Sequence, residues 1–156
     1  MRRKERLMRN EETLLALLKR AQVGRLATIN RKGFPVIKPV NFVYDGGKIF
    51  FHSATKGEKV ADIRRGSPIC FEVDEPIAYV TARGPACKAS YYYRSIIIKG
   101  RATFVKGTKP KQQILEKLME KYQPQGGYDP PSEEVVKRTA VIEIAIDEMT
   151  GKESLG

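Results

Sequence analysis

Phe50-Phe51-His52-Ser53-Ala54-Thr55-Lys56-Gly57-Glu58-Lys59 begins as a strand, turns through small and hydroxyl residues, and enters a short helical pattern (Val60, Ala61, Ile63) that stops at Gly66. It contains the only histidine of the 156 residues. The first N–H groups of a helix have no partner within it, and the helix dipole is positive there, so such a join can hold a phosphate. Ser53 and Thr55 can donate hydroxyl hydrogens, Lys56 and Lys59 supply charge, and Gly57 lets the backbone approach closely. The same residues also fit a plain turn in which Ser53 or Thr55 caps the helix and the lysines face water. Period-two alternation puts His52 on the side opposite Phe51 and Ser53. It is either a hydrogen-bond or proton-transfer group beside a ligand ring, or a single surface or structural histidine.

Working outward, Asp45-Gly46-Gly47 is a strong hairpin signal before the strand Lys48 to Ser53. Phe34 to Tyr44 reads as one strand with Phe34, Val36, Val40 and Phe42 in alternation. Pro35 and Pro39 cannot donate to a ladder, so this strand is bulged or on an edge. Arg31-Lys32-Gly33 turns it back on a short strand, Arg25 to Asn30. Arg25, Thr28, Lys38 and Asn41 then border the same region as His52. Upstream, Asn10 caps a helix with Glu11 and Glu12 in its first turn, Lys19 and Arg20 in its last, and an apolar face of Leu14, Leu17, Leu18 and Ala21. That helix is expected to end at Val23-Gly24, so residues 1–23 form an N-terminal helical segment.

Downstream, Ile69 to Asp74 alternates as a half-buried strand, and a short strand is expected around Ile77 to Thr81. Tyr91 to Val105 reads as a long strand with Gly100 as a bulge or bend. Thr108 to Tyr122 is the strongest helical pattern, with Pro110 in its first turn and Ile114, Leu115, Leu118, Met119 and Tyr122 as a core-facing stripe. Residues 123–138 form a Pro/Gly loop in which Ser132 caps a short helix, and Thr139 to Asp147 is the last strand. About six strands in hairpin order, with helices inserted, predict a mainly β fold: one domain over 1–156, a small antiparallel barrel with peripheral helices.

Composition narrows the function classes. No apolar run approaches the ~20 residues of a membrane-spanning helix, so a cytoplasmic protein is the expectation. Net charge is +11, which favours anionic partners. The bases are scattered, the densest groups being Arg2, Arg3, Lys4, Arg6 and Arg9 and then Lys106, Lys109 and Lys111. That spread argues for a solvated surface rather than a nucleic-acid footprint. Cys70 and Cys87 with one histidine give no zinc spacing, so no metal is expected and the thiols read as buried or half-buried. Tyr91-Tyr92-Tyr93-Arg94-Ser95 can stack on a ring or pack at a subunit interface. There is no Ser/His/Asp arrangement, paired-carboxylate motif or P-loop, so redox chemistry would require a bound cofactor.

Gly24-Arg25-Leu26-Ala27-Thr28, Gly33-Phe34-Pro35, Pro39-Val40-Asn41-Phe42-Val43-Tyr44, Gly47 to Ala54, Gly57-Glu58-Lys59, Tyr93 to Gly100 and Met149-Thr150-Gly151-Lys152 occur in this order. The ordered set resembles the flavin-nucleotide-binding branch of the pyridoxamine-phosphate-oxidase-like split barrels, and within it the nitroimidazole-resistance (Nim) proteins. The resemblance implies a homodimer of six-stranded antiparallel split β-barrels with FMN at the dimer interface. It implies an FMN-dependent oxidoreductase of small molecules, nitroaromatic compounds among them. A flavin-binding carrier or sensor without efficient chemistry is the alternative, and a basic nucleic-acid-binding barrel a third. Carried over by position, Arg25, Leu26, Ala27 and Thr28 would border the flavin and its ribityl chain. Pro39, Val40 and Asn41 would line the ring. His52, Ser53 and Ala54 would follow the ribityl and ring edge, with His52 as the catalytic candidate. Lys59, beside Lys56 and Gly57, would pair with the phosphate. Glu58 stands where pyridoxamine-phosphate oxidases proper usually carry a base, and their C-terminal basic cluster is not recognisable, so vitamin B6 oxidation is not expected.

Overall fold

Asn10 accepts the backbone N–H of Thr13 at 3.0 Å and opens α1 (Glu11–Arg20) in the computed structural model, which describes residues 4–155. Arg2 and Arg3 of the terminal basic group lie outside the described residues. Leu14, Leu17 and Leu18 of α1 are buried, as their spacing requires. The helix ends at Arg20, short of Val23, because Ala21 takes an extended backbone and the chain runs straight toward the first strand.

The strands are β1 (Gly24–Ile29), β2 (Pro35–Val40), β3 (Val43–Asp45), β4 (Lys48–Ser53), β5 (Pro68–Val80), β6 (Ser90–Phe104) and β7 (Ala140–Ser154), with helices α2 (Glu58–Arg64), α3 (Thr108–Tyr122) and α4 (Glu133–Arg138). All pairings are antiparallel, in the order β2-β1-β5-β6-β7-β4-β3. The sheet has seven strands rather than the expected six, and hydrogen bonds do not close it. The expected single strand Phe34 to Tyr44 divides at Asn41-Phe42 into β2 and β3, which lie at opposite edges of the sheet. Three Cα steps from Val40 to Val43 span at most ~11 Å, so the two edges must curl toward one another. The result is an open barrel with a split between β2 and β4.

That crossover is pinned from α3. The Phe42 N–H donates to Tyr122 Oη at 2.9 Å, and the Tyr122 hydroxyl donates to the Gln22 carbonyl at 2.7 Å. Lys121 Nζ donates to the Phe42 carbonyl at 2.9 Å and stands 3.9 Å from the centre of the Phe42 ring. These bonds satisfy backbone groups that a continuous strand would have given to a ladder. Burial lowers the Lys121 pKa to about 8. A lysine held below its ordinary value destabilises the fold while it is charged. We expect stability to rise as pH passes from about 8 toward 10.5. Lys121→Met should flatten that rise, which urea unfolding at several pH values measures.

Phe42, Phe51, Phe71, Leu26, Ile49, Ile96, Ile98, Ile142 and Ile144 fill the barrel, and Phe42 meets Phe71 edge to face with centroids 5.0 Å apart. A second cluster joins Phe50 and Val141 to Ile114 and Leu118 of α3, so β4 is covered on both faces. Leu115, Met119 and Tyr122 complete the stripe, and Ser132 caps α4 as expected. β7 runs beyond the expected Asp147 to Ser154, so Met149 to Lys152 are strand residues paired with β6. The short strand near Ile77 is the outer part of β5, offset by a bulge between Pro76 and Ala78.

Gly100 lies at a register shift between β6 and β7. A Cβ there would lie well inside contact distance of the Ala145 carbonyl oxygen, a backbone atom that cannot swing aside. We expect Gly100→Ala to cost about 3 kcal/mol, as overpacking against a fixed neighbour does. Chemical denaturation of the two proteins is the check.

Candidate functional site

β4 pairs with β3 only from Lys48 to Phe50, so Phe51 to Ser53 have a free ladder edge facing the split. Across it lies β2, whose own outer edge has no strand partner. α2 closes one end. Its first residue follows Gly57, which has φ 123° and open space where a Cβ would stand. Neither Ser53 nor Thr55 caps α2, and no side chain does. Ser53 instead ends β4 opposite Ala140, while the Thr55 carbonyl accepts from Arg64 at 3.0 Å. The capped-turn reading of the sequence is therefore replaced by an uncapped glycine turn. α2 has seven residues, so the anion chemistry of this corner rests on side chains.

Three of those side chains gather here. Lys59 Nζ lies 5.4 Å from the centre of the Phe51 ring at the barrel end. Its pKa is pushed down by burial and then by the neighbouring charge of Lys38. The His52 pKa is pushed down by burial and then by Lys59, so the imidazole is neutral at pH 7. Lys38 is paired with Glu58 at 3.3 Å, and Glu58 also accepts from Asn30 Nδ2 at 3.4 Å. Two lysines and an imidazole thus crowd together around one carboxylate. Burial is the larger cause of both downward shifts, and a neighbouring positive charge, Lys38 for Lys59 and Lys59 for His52, adds to each. A doubly charged phosphate ester fits that donor set, with lysines as point-charge partners.

The other expected site residues separate into distinct places. Arg25, Ala27 and Pro39 lie on the outer face of the sheet, which also carries the exposed Ile29, Ile37 and Ile97. Arg25 is bonded to Glu72 at 3.0 Å and to Asp74, so its charge is spent within the fold. Leu26 and Val40 are in the core. Thr28 is buried, and its hydroxyl donates to Asp62 Oδ2 at 2.8 Å, while Asp62 accepts from Arg65 at 2.7 Å. The buried Thr28–Asp62 bond, with exposed Arg65 at its outer end, fastens α2 to β1 and so helps place Lys59. Asn41 Nδ2 donates to the Gln22 carbonyl at 3.2 Å, beside the crossover. Ala54 and Lys56 are exposed on the turn before α2. The structure therefore brings His52, Lys59 and Lys38 together, leaves Arg25, Ala27 and Pro39 on an adjoining exposed face, and encloses Leu26, Thr28 and Val40.

Lys121 and Tyr122, which hold the split in shape, read in the sequence only as the end of an apolar stripe. Nothing local marks their reach to Phe42, about 80 positions upstream. Cys70 is half-buried and Cys87 exposed, both thiols free. The expectation of burial fails for Cys87 because it lies on a surface 3-10 turn. Among the described residues no cluster of three His, Cys, Asp or Glu side chains could hold a metal ion. Among the described residues no helix is long and apolar enough to cross a membrane.

An open antiparallel barrel, split beside a cationic corner, defines the class. The chain belongs to the pyridoxamine 5'-phosphate oxidase family, whose model matches residues 10–153. Among solved structures it is similar to a candidate 5-nitroimidazole antibiotic resistance protein of Bacteroides thetaiotaomicron, at 21% identity and TM-score 0.83, covering 94% of this chain and 86% of that one. It is also similar to the FAD and heme binding protein of Mycobacterium smegmatis, at 22% identity and TM-score 0.87 over 97% and 74% of the two chains. The flavocytochrome Anf3 of Azotobacter vinelandii aligns at 22% identity and TM-score 0.85 over 96% and 70%. No curated protein matches the sequence.

Proposed function

We propose that the protein binds FMN and reduces small molecules, with nitroaromatic compounds as the acceptor class, and that it works as a homodimer with the cofactor at the interface. The observation that carries this reading is a pair of lysines, Lys59 and Lys38, offset by one carboxylate, Glu58, and standing with neutral His52 beside an open ladder edge. Lys59 and Lys38 would hold the phosphate. Gly57, with no side chain and open space around it, leaves its backbone free to approach the same group. The bound flavin would supply the electron transfer that no side chain here can perform.

The remaining roles belong to the chain. Ala27, Pro39 and Ile37 offer a small-featured apolar face of a kind that suits a planar ring, and a second copy laid on that face would exclude water from it. Neutral His52 can accept a proton at one ring nitrogen and donate one from the other. The Thr28–Asp62–Arg65 triad keeps α2, and so Lys59, in register with β1. The names of the similar structures support flavin chemistry in this fold.

The test is the absorption spectrum of the purified protein, followed by FMN titration and sedimentation with and without FMN. Bound FMN with a flavin band near the visible maximum, in a dimer, is the expected result. A colourless protein that fails to bind added FMN overturns the proposal. Reduction of a nitroaromatic acceptor by the reduced holoprotein separates an enzyme from a carrier.

A further inference from the structure

Behind β4, away from the barrel interior, α3, the loop before α4, and α4 itself enclose a partly open cavity of about 300 Å³. Leu115, Leu118, Met119, Pro131 and Val135 give it apolar walls, with Tyr128 at its side. Its polar groups are His52, Asp129, Thr139 and the Tyr128 hydroxyl. A volume near 300 Å³ is the lower end of the ~300–1,000 Å³ range of small-molecule sites, and few polar groups on apolar walls is their usual make-up.

His52, Asp129 and Thr139 each offer the cavity an acceptor, and the Tyr128 hydroxyl can donate or accept. An ionised aspartate can only accept hydrogen bonds. The Thr139 hydroxyl already donates to the Val135 carbonyl at 2.8 Å, so what it offers the cavity is lone pairs. His52, neutral for the reasons given above, has one ring nitrogen free to accept. A cavity walled mainly by aliphatic carbon, with acceptors outnumbering donors, favours a small ring carrying an N–H or O–H donor. It disfavours carboxylates and other anions, which would meet Asp129 without a compensating cation on the wall.

We propose that this cavity is a second ligand site, separate from the split, that takes a small neutral phenol- or azole-like molecule, with His52 standing between the two sites. The Asp129 end is supplied by the loop between α3 and α4, which contributes Tyr128, Asp129 and Pro131 to the wall. His52 then belongs to both neighbourhoods: its β4 backbone lies on the split edge, and its side chain lines the cavity. A ligand seated there touches the one group that can relay a proton toward the split.

The inference does not rest on FMN binding, and its test keeps the two apart. The full-length protein, with and without added FMN, is titrated with 4-methylphenol, toluene and benzoate while amide shifts are followed by two-dimensional NMR. We expect 4-methylphenol to shift residues of 115–119, 128–135 and 52. Toluene should bind at least ~3-fold more weakly for want of the hydrogen bond, and benzoate weaker still. Val135 is exposed enough that Val135→Trp can fill the cavity from α4 without disturbing the core. That variant should lose 4-methylphenol binding at least tenfold and keep its FMN affinity. Asp129→Asn should weaken the phenol and relieve the exclusion of benzoate. Equal affinity for the three probes, shifts confined to residues 25–28 and 59, or unchanged phenol binding in Val135→Trp would each overturn the proposal.

Discussion

Lys59→Ala is expected to weaken FMN binding by about 1–3 kcal/mol, roughly 5- to 150-fold in dissociation constant, the usual worth of a charge-assisted contact. The same substitution is expected to leave the protein as stable as before, or more so. The sign follows from the pKa. Lys59 is held below the ordinary lysine value by burial and by Lys38, so its protonated form is disfavoured in the fold relative to the unfolded chain. That penalty is present at neutral pH, is relieved as pH rises past the lowered folded value, and is gone by the ordinary value of 10.5. Deleting the side chain removes the penalty along with the ligand contact. Lys38→Ala should show the weaker form of the same pattern, since Lys38 has Glu58 as a partner. The affinity of the native protein should fall with added salt, and that of Lys59→Ala should fall less. The measurements are FMN titrations at two ionic strengths and a urea unfolding curve for each protein. A Lys59→Ala protein with native affinity places the phosphate elsewhere. One that is destabilised by several kcal/mol makes Lys59 structural.

The stretch that reads as a strand running into a glycine turn and a short helix does form those elements, at Lys48–Ser53, Gly57 and Glu58–Arg64. Local pattern sufficed there because alternation and a breaker residue act within a few positions. The same holds for α1, for α3 and for the bulge at Gly100. Lys59 and His52 could be named from sequence because their chemistry is carried by their type. Lys38 could be placed near them only by assuming hairpins. What the sequence does not display is long-range closure. Phe34 to Tyr44 alternates as one strand, yet Asn41-Phe42 leave the ladder because Tyr122 and Lys121 offer better partners for the Phe42 backbone. Nor does it display which hydroxyls are spent: Thr28, expected to border the flavin, donates its hydroxyl to Asp62. The cavity behind His52 is invisible for the same reason, being assembled from β4, α3 and a loop about 80 residues away.

Phe42→Ala is expected to destabilise the fold by roughly 3–5 kcal/mol, the ordinary range for truncating a buried phenylalanine. Phe42 is fully buried, packs edge to face on Phe71, and lies under the Lys121 ammonium. Its position makes the loss more than a cavity. It is one of two residues joining strands at opposite edges of the sheet, so it sets how far the split opens. Without its ring, Lys121 keeps the carbonyl contact and its place 5.3 Å from the centre of the Tyr122 ring, and the crossover is held by polar bonds, from the Phe42 backbone to α3 and from Asn41 to the Gln22 carbonyl. Tyr122→Phe removes the acceptor of the buried Phe42 N–H while keeping the packing, and should cost about 1–3 kcal/mol. Both variants should widen the spacing of β2 and β4 and so separate Lys38 from Lys59. FMN affinity should therefore fall in each, although neither residue belongs to the cationic corner. Because single domains are stable by about 5–15 kcal/mol, both proteins should remain folded in the cold and allow the titration. Urea unfolding gives the first number and FMN titration the second. A Phe42→Ala protein destabilised by less than 1 kcal/mol, or destabilised with unaltered FMN affinity, would mean that the split is shaped by the strands themselves and not by the crossover that ties its edges together.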